Sequence, residues 1–184
     1  MGSDVSVVNA ARVSFNKKIT KIRESDKKLI AYLAKHGHWT PFAHAQLSFR
    51  ISAPVFVARQ LGKHQVGLVW NEVSRRYVDS DVSFYTPQVW RKKAENKKQG
   101  SSDDIIVQDD LLFSNYEKLL KASELLYGTL LEKGAAPEQA RMVLPQSMMT
   151  EWIWTGSLAA FARVVKLRDH ADAQKECQEV AQLI

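Results

Sequence analysis

The run RQLGKHQVGLVWNEVSRRY, from Arg59 to Tyr77, decides how the rest of the chain is read. From Val66 to Tyr77 it has neither a two-residue nor a 3.6-residue hydrophobic period, so it is predicted to be an irregular segment whose work is not packing. It gathers Arg59, Lys63, His64, Arg75 and Arg76, with the polar Gln60, Gln65, Asn71, Glu72 and Ser74 between them. If a helix runs through Lys63, Arg59 and Lys63 share a face, an arrangement that is unfavourable unless an anion lies between them. A phosphate would supply that anion, each charge-assisted hydrogen bond contributing about 1.5–3 kcal/mol. Glu72, a lone carboxylate among cations, can accept from a ribose hydroxyl or a pyrimidine N–H. Singly, the arginines read as a solvated face, His64 as a helix-end residue and Trp70 as core.

Working outward, His44 to Ser52 alternates strictly, with Ala45, Leu47, Phe49 and Ile51 on one side, and predicts a half-buried strand. Pro54 closes it and opens a predicted helix to His64. Upstream, Asp26 to His36 reads as a helix with Ser25 as N-cap and Gly37 as its stop. Downstream, Arg91 to Asp104 is polar and Lys-rich and reads as a mobile surface loop. Asp109 to Lys133 reads as a long helix with Leu112, Tyr116, Leu119, Ser123, Leu126 and Leu130 on its packing stripe and Gly134 at its end. Pro137 starts a short helix to Leu144, and Thr150 to Thr155 alternates around Trp152 and Trp154 as a strand. Leu158–Leu167 and Asp172–Ile184 read as helices. The sum is a single α+β domain over residues 1–184, a small antiparallel or mixed sheet packed by several helices.

The 184 residues are 45% hydrophobic and 25% charged, a globular balance. No apolar run approaches the roughly 20 residues that span a bilayer. The start, MGSDVSVVNAARVS, lacks a basic-then-apolar leader pattern, so a cytoplasmic location without membrane partners is expected. Cys177 is the single cysteine, which excludes an intramolecular disulfide and a thiolate metal cage, and no metal is expected. A net charge of +6 suits anionic partners in general.

Five blocks, in order along nearly the whole chain, resemble the flavin-dependent thymidylate synthases. They are NAARVSF (Asn9–Phe15), HGHWTPFAH (His36–His44), SAPVFVARQ running into the Arg59–Tyr77 segment, RMVLP (Arg141–Pro145) and LRDHADAQKE (Leu167–Glu176). The central block resembles the family's R-Q-x-x-R-H-R…N-E-x-S-x-R-Y pattern, with three departures. Lys63 and Gln65 replace the two arginines around His64, and eight residues separate Gln65 from Ser74 where seven are usual. The family's opening strand is not found, which suggests a short amino terminus.

The resemblance implies reductive methylation of dUMP to dTMP using FAD, with NADPH and 5,10-methylenetetrahydrofolate as cosubstrates, in a homotetramer with sites between subunits. No nucleic acid is expected as partner. Gln60, Lys63, Glu72, Ser74, Arg75, Arg76, Arg141 and Arg168 match dUMP-binding positions, Arg75 standing where glycine is common. Ser14, His38, Thr40, Lys63, His64, Gln65, Glu72, Ser157 and Arg163 match flavin positions. Arg168 matches the arginine that stabilises the negative charge developing on uracil, replacing the cysteine adduct of classical thymidylate synthases; Cys177 is expected to be a structural thiol. Two other readings stay open: a homologue that binds flavin or nucleotide without turnover, and a basic nucleic-acid-binding module.

Overall fold

The structure is a computed structural model, and it describes residues 2–79, 81–95, 100–106 and 110–184. Helix α1 (Asp4–Arg12) has Asp4 in its first turn and Arg12 in its last, each suited to the helix dipole. Helix α2 (Glu24–Lys35) starts two residues before the predicted Asp26, and its N-cap is Arg23, not Ser25. The reason is Asp26, whose carboxylate reaches back to accept from the Arg23 N–H at 2.9 Å. Asp26 is fully buried there, against the Arg12 guanidinium 2.5 Å away. Gly37 follows the helix at φ 70° as expected.

Strand β1 (Gln46–Pro54) leads directly into α3 (Val55–Leu61), with Pro54 as N-cap. The helix stops three residues short of the predicted His64, so Lys63 and His64 lie in the turn beyond it. Strand β2 (Leu68–Glu72) forms where an irregular segment was predicted. The predicted loop 91–104 contains a hairpin, β3 (Arg91–Lys93) against β4 (Ser101–Ile105); its middle, residues 96–99, lies outside the described residues. Arg91 holds it from both sides, donating to Ser101 Oγ at 2.7 Å and pairing with Glu176.

Helix α4 covers Asp110–Glu132, the predicted Asp109 lying outside the described residues. Its packing line is rotated from the predicted stripe: Leu120 and Tyr127 are buried, while Leu112, Leu119 and Leu126 face outward. The helix does not lie on the sheet. It meets α5 (Pro137–Ala140), the following 3-10 turn Arg141–Val143, and Trp90, whose ring sits edge-on to Tyr116 at 5.4 Å. The predicted helix 137–144 is therefore split in two. Strand β5 (Met149–Ser157) contains the predicted Trp strand, and α6 (Leu158–Arg168) and α7 (Lys175–Leu183) follow.

Strands β1, β5 and β2 form an antiparallel sheet in that order. Trp152 and Trp154 of β5 are almost fully buried and pack with Val57 and Leu61 of α3, Phe161 and Val164 of α6, and Cys177 of α7. Each large apolar side chain of this core contributes about 1.5–3 kcal/mol. Trp70 stacks on Trp152 at 4.2 Å and belongs to the edge of this core, in keeping with its sequence reading. Among the described residues no helix is long and apolar enough to cross a membrane.

At Gly156, opposite Leu68, strands β5 and β2 approach too closely for a side chain. An added Cβ would lie 2.4 Å from the Gly67 carbonyl oxygen and 3.2 Å from Leu68 Cα. Gly156→Ala is therefore expected to cost about 1–3 kcal/mol by overpacking and to push β2 away from β5, which calorimetry would read as a lowered Tm.

Candidate functional site

The turn after α3 and the edge strand β2 enclose a pocket of about 520 Å³. Arg59 and Ala58 of α3, Lys63, His64 and Gln65 of the turn, and Leu68, Trp70 and Glu72 of β2 line it. The predicted Arg59–Lys63 helical pair is thus not one helix face, yet both side chains reach the same pocket. The turn is possible because Gly67 sits at φ 77° between His64 and β2. A Cβ there would meet Ala160, the Ser157 hydroxyl and the Arg163 guanidinium.

Glu72 is held on both oxygens. Oε1 accepts from the Thr150 hydroxyl at 2.7 Å and Oε2 from the Trp70 indole N–H at 3.2 Å. These two donors are neutral and occupy one site on each oxygen, which leaves further lone pairs for a ligand. Thr150 is 78 residues distant along the chain and gave no sequence signal. His64 Nε2 accepts from Arg168 Nε at 2.8 Å. Burial, and then the charges of Arg168 and Arg163, hold the imidazole below the ordinary histidine value, so it is neutral at neutral pH.

Arg168, the last residue of α6, thereby sits beside the pocket. Arg163, five residues earlier, donates to the Val66 carbonyl at 2.8 Å and ties the turn to α6. Ser157 caps α6, its hydroxyl accepting from Ala160 N at 3.2 Å. In the described structure both residues act on the scaffold beneath the turn. Gln60, on another face of α3, accepts from the Cys177 thiol.

The remaining predicted residues lie elsewhere. The Ser74 hydroxyl accepts from the Arg76 N–H and Nε–H at 3.3 and 3.2 Å, and the Arg76 guanidinium lies 5.1 Å over the Tyr77 ring. Arg75 folds back on its own loop, donating to Asp81 O at 3.2 Å. Arg141 donates to Glu138 O within its own turn. Ser14 lies in the exposed 3-10 turn Val13–Phe15, and Thr40 opens another at Thr40–Ala43. His38 lies over Tyr32, ring centroids 6.2 Å apart. Ser14, His38 and Thr40 do not line the pocket.

Cys177 is fully buried in the core, and its thiol is pushed up to about 11, mainly by burial, with the Arg168 charge opposing. At neutral pH it is protonated and inaccessible, unlike a nucleophilic cysteine.

Helices packed on a small antiparallel sheet, with a pocket at its edge strand lined by Arg59, Lys63 and His64 opposite Glu72, define an α+β protein with a largely cationic site. The chain belongs to the thymidylate synthase complementing protein family, the flavin-dependent thymidylate synthases, whose sequence profile matches residues 1–184. It is 42% identical over 186 residues to the flavin-dependent thymidylate synthase of Thermosipho africanus, covering 98% of this chain and 79% of that one. It is 39% identical over 184 residues to an enzyme of the same name from Thermus thermophilus, covering 100% and 67%. The solved structure of a UMP/dUMP methylase, PolB from Streptomyces cacaoi, bound with 5-Br dUMP, superposes with a TM-score of 0.85 at 30% identity, covering 99% of this chain and 83% of that one.

Proposed function

We propose that this chain, acting as one domain per subunit, is a cytoplasmic FAD-dependent thymidylate synthase that methylates dUMP to dTMP with 5,10-methylenetetrahydrofolate and NADPH. The observation that carries this reading is the pairing of a sealed thiol with an accessible cation: Cys177 is buried and protonated, while Arg168 is anchored beside the pocket.

The pocket's donor set fits a flavin nucleotide. Lys63 and Arg59 offer charge to a diphosphate, Gln65 an amide, Glu72 a carboxylate with open lone pairs, and Trp70 an apolar wall. When bound, FAD supplies the hydride chemistry that completes the methyl group. The chain's own work is electrostatic. Arg168 stabilises the negative charge that develops on the uracil ring as its N3 proton leaves and C5 becomes nucleophilic. An arginine suits that role because it stays charged and offers several donors in one plane. Gln60, Lys63, Glu72, Ser74, Arg75, Arg76 and Arg141 are assigned to the nucleotide. Ser14, His38, Thr40, His64, Gln65, Ser157 and Arg163 are assigned to the flavin, together with Lys63 and Glu72.

Arg141, the Ser74–Arg76 loop and the Ser14 and Thr40 turns fall outside the pocket of one chain, which supports a site completed by a neighbouring subunit. The outward leucines of α4, Leu112, Leu119 and Leu126 at 46%, 57% and 48% exposure, recur every seven residues along one side of the helix and offer an apolar face for a homotetramer. Light scattering giving a monomeric mass for active protein would exclude that assembly.

The purified protein is expected to be yellow, to bleach with NADPH and to form dTMP from dUMP and the folate. A yellow protein inert to dUMP and folate would instead indicate a homologue that binds without turnover. A colourless protein that retains DNA would indicate a nucleic-acid-binding module.

Cys177→Ser keeps a donor for Gln60 Oε1 and removes the thiol. Turnover is expected within about threefold of wild type, since a buried protonated thiol does no chemistry. A folded, flavin-loaded variant with no dTMP formation would reinstate a cysteine adduct.

A further inference from the structure

We propose that His64 is the positioning residue for Arg168: its neutral imidazole accepts the Arg168 Nε–H and so aims the two terminal amino groups of the guanidinium at the nucleotide. This rests on Arg168 acting on the uracil as set out above.

The bond joins the turn after α3 to the last residue of α6, 104 positions apart, at 2.8 Å. A free arginine side chain carries about 2 kcal/mol of rotamer entropy, and the planar guanidinium is aimed once a single nitrogen is fixed. Fixing Nε is the choice that leaves both terminal groups free, so the ligand meets an already oriented fork and not a mobile chain. Only a neutral imidazole with its proton on Nδ1 has the Nε2 lone pair this requires.

The surroundings favour that form. The charges of Arg168 and then Arg163 act on His64 from α6, and Arg59 and Lys63 line the same pocket from α3 and the turn. In the same pocket Glu72 is engaged by Thr150 and Trp70, and on α7 the Cys177 thiol, which feels the Arg168 charge, is protonated. The folded-state value of His64 lies below the ordinary one, so the acceptor is retained at neutral pH and lost as the pH falls through that lowered value. A protonated imidazole would both drop the bond and repel the guanidinium.

Two measurements test this, and only one needs turnover. Nitrogen-detected NMR of the flavin-loaded protein without dUMP should show His64 as the Nδ1–H tautomer, titrating below about 6.5, with the midpoint rising in Arg168→Ala. The same midpoint in both proteins, or an Nε2–H tautomer, overturns the bridge. In assays normalised to bound flavin, wild-type kcat/KM for dUMP should fall on the acid side with that same midpoint. His64→Leu should lower kcat/KM more than about tenfold, and His64→Gln, whose carboxamide oxygen accepts without titrating, should abolish the acid limb. An acid limb that persists unchanged in His64→Gln overturns the positioning role. If the NMR shows the bridge but no dTMP forms at any pH, the thymidylate synthase reading fails while the bridge itself stands.

Discussion

Arg168→Ala should lower dTMP formation by about 10²–10³-fold, the usual cost of removing one preorganised charge-stabilising donor from an active site. The substitution leaves the core untouched, because the side chain lies at the end of α6 and its Nε hydrogen bond goes to His64. The variant should therefore fold, keep its flavin spectrum and still be reduced by NADPH. The defect should appear in methyl transfer, read as dTMP formed per bound flavin. Arg168→Lys restores the charge but neither the fork nor the Nε link, and should recover only part of the loss. Full turnover in Arg168→Ala would remove the electrostatic activation on which the mechanism depends.

The largest stability effect is expected at Arg12. Its guanidinium is the counter-charge for Asp26, which has no exposed surface and which also accepts the Arg23 N–H that starts α2. Arg12→Leu leaves a buried carboxylate unpaired, at a cost of about 3–5 kcal/mol. For a chain of this size that lowers Tm by roughly 10 °C. Arg12→Leu combined with Asp26→Asn removes both charges and should recover a substantial part, because much of the penalty belongs to the orphaned charge. Recovery of nothing in the double variant would mean that Arg12 acts by packing alone. Thermal unfolding followed by circular dichroism distinguishes the two results.

The parts of the fold visible in the sequence were those where one face of one element meets the core. The alternation of Leu47, Phe49 and Ile51, and of Trp152 and Trp154, identified β1 and β5, because a half-buried strand must place every second side chain inside. Pro54 and Gly134 marked a helix start and a helix end through their own backbone constraints. Strand β2 is not legible in the sequence because five residues at a sheet edge, two of them half-buried, carry too little periodicity; its pairing comes from β5, far along the chain. The β3–β4 hairpin is hidden for a related reason. Its strands are polar, and what holds them is Arg91 between Ser101 and Glu176. The packing line of α4 is not legible in its sequence, because a leucine-rich helix has more than one apolar line and the neighbours choose which is used.

The sequence by itself determined the α+β class, the family and the kinds of residue available for the chemistry. Those follow from side-chain periodicity and from the five ordered blocks, both carried by neighbours along the chain. Only the tertiary structure decided that His64 meets Arg168, that Thr150 and Trp70 hold Glu72, and that Cys177 is buried against Gln60. Each of those contacts depends on how α3, β2, α6 and α7 pack around two buried tryptophans. Orientation, burial and protonation state are properties of that packing, and local spacing does not encode them.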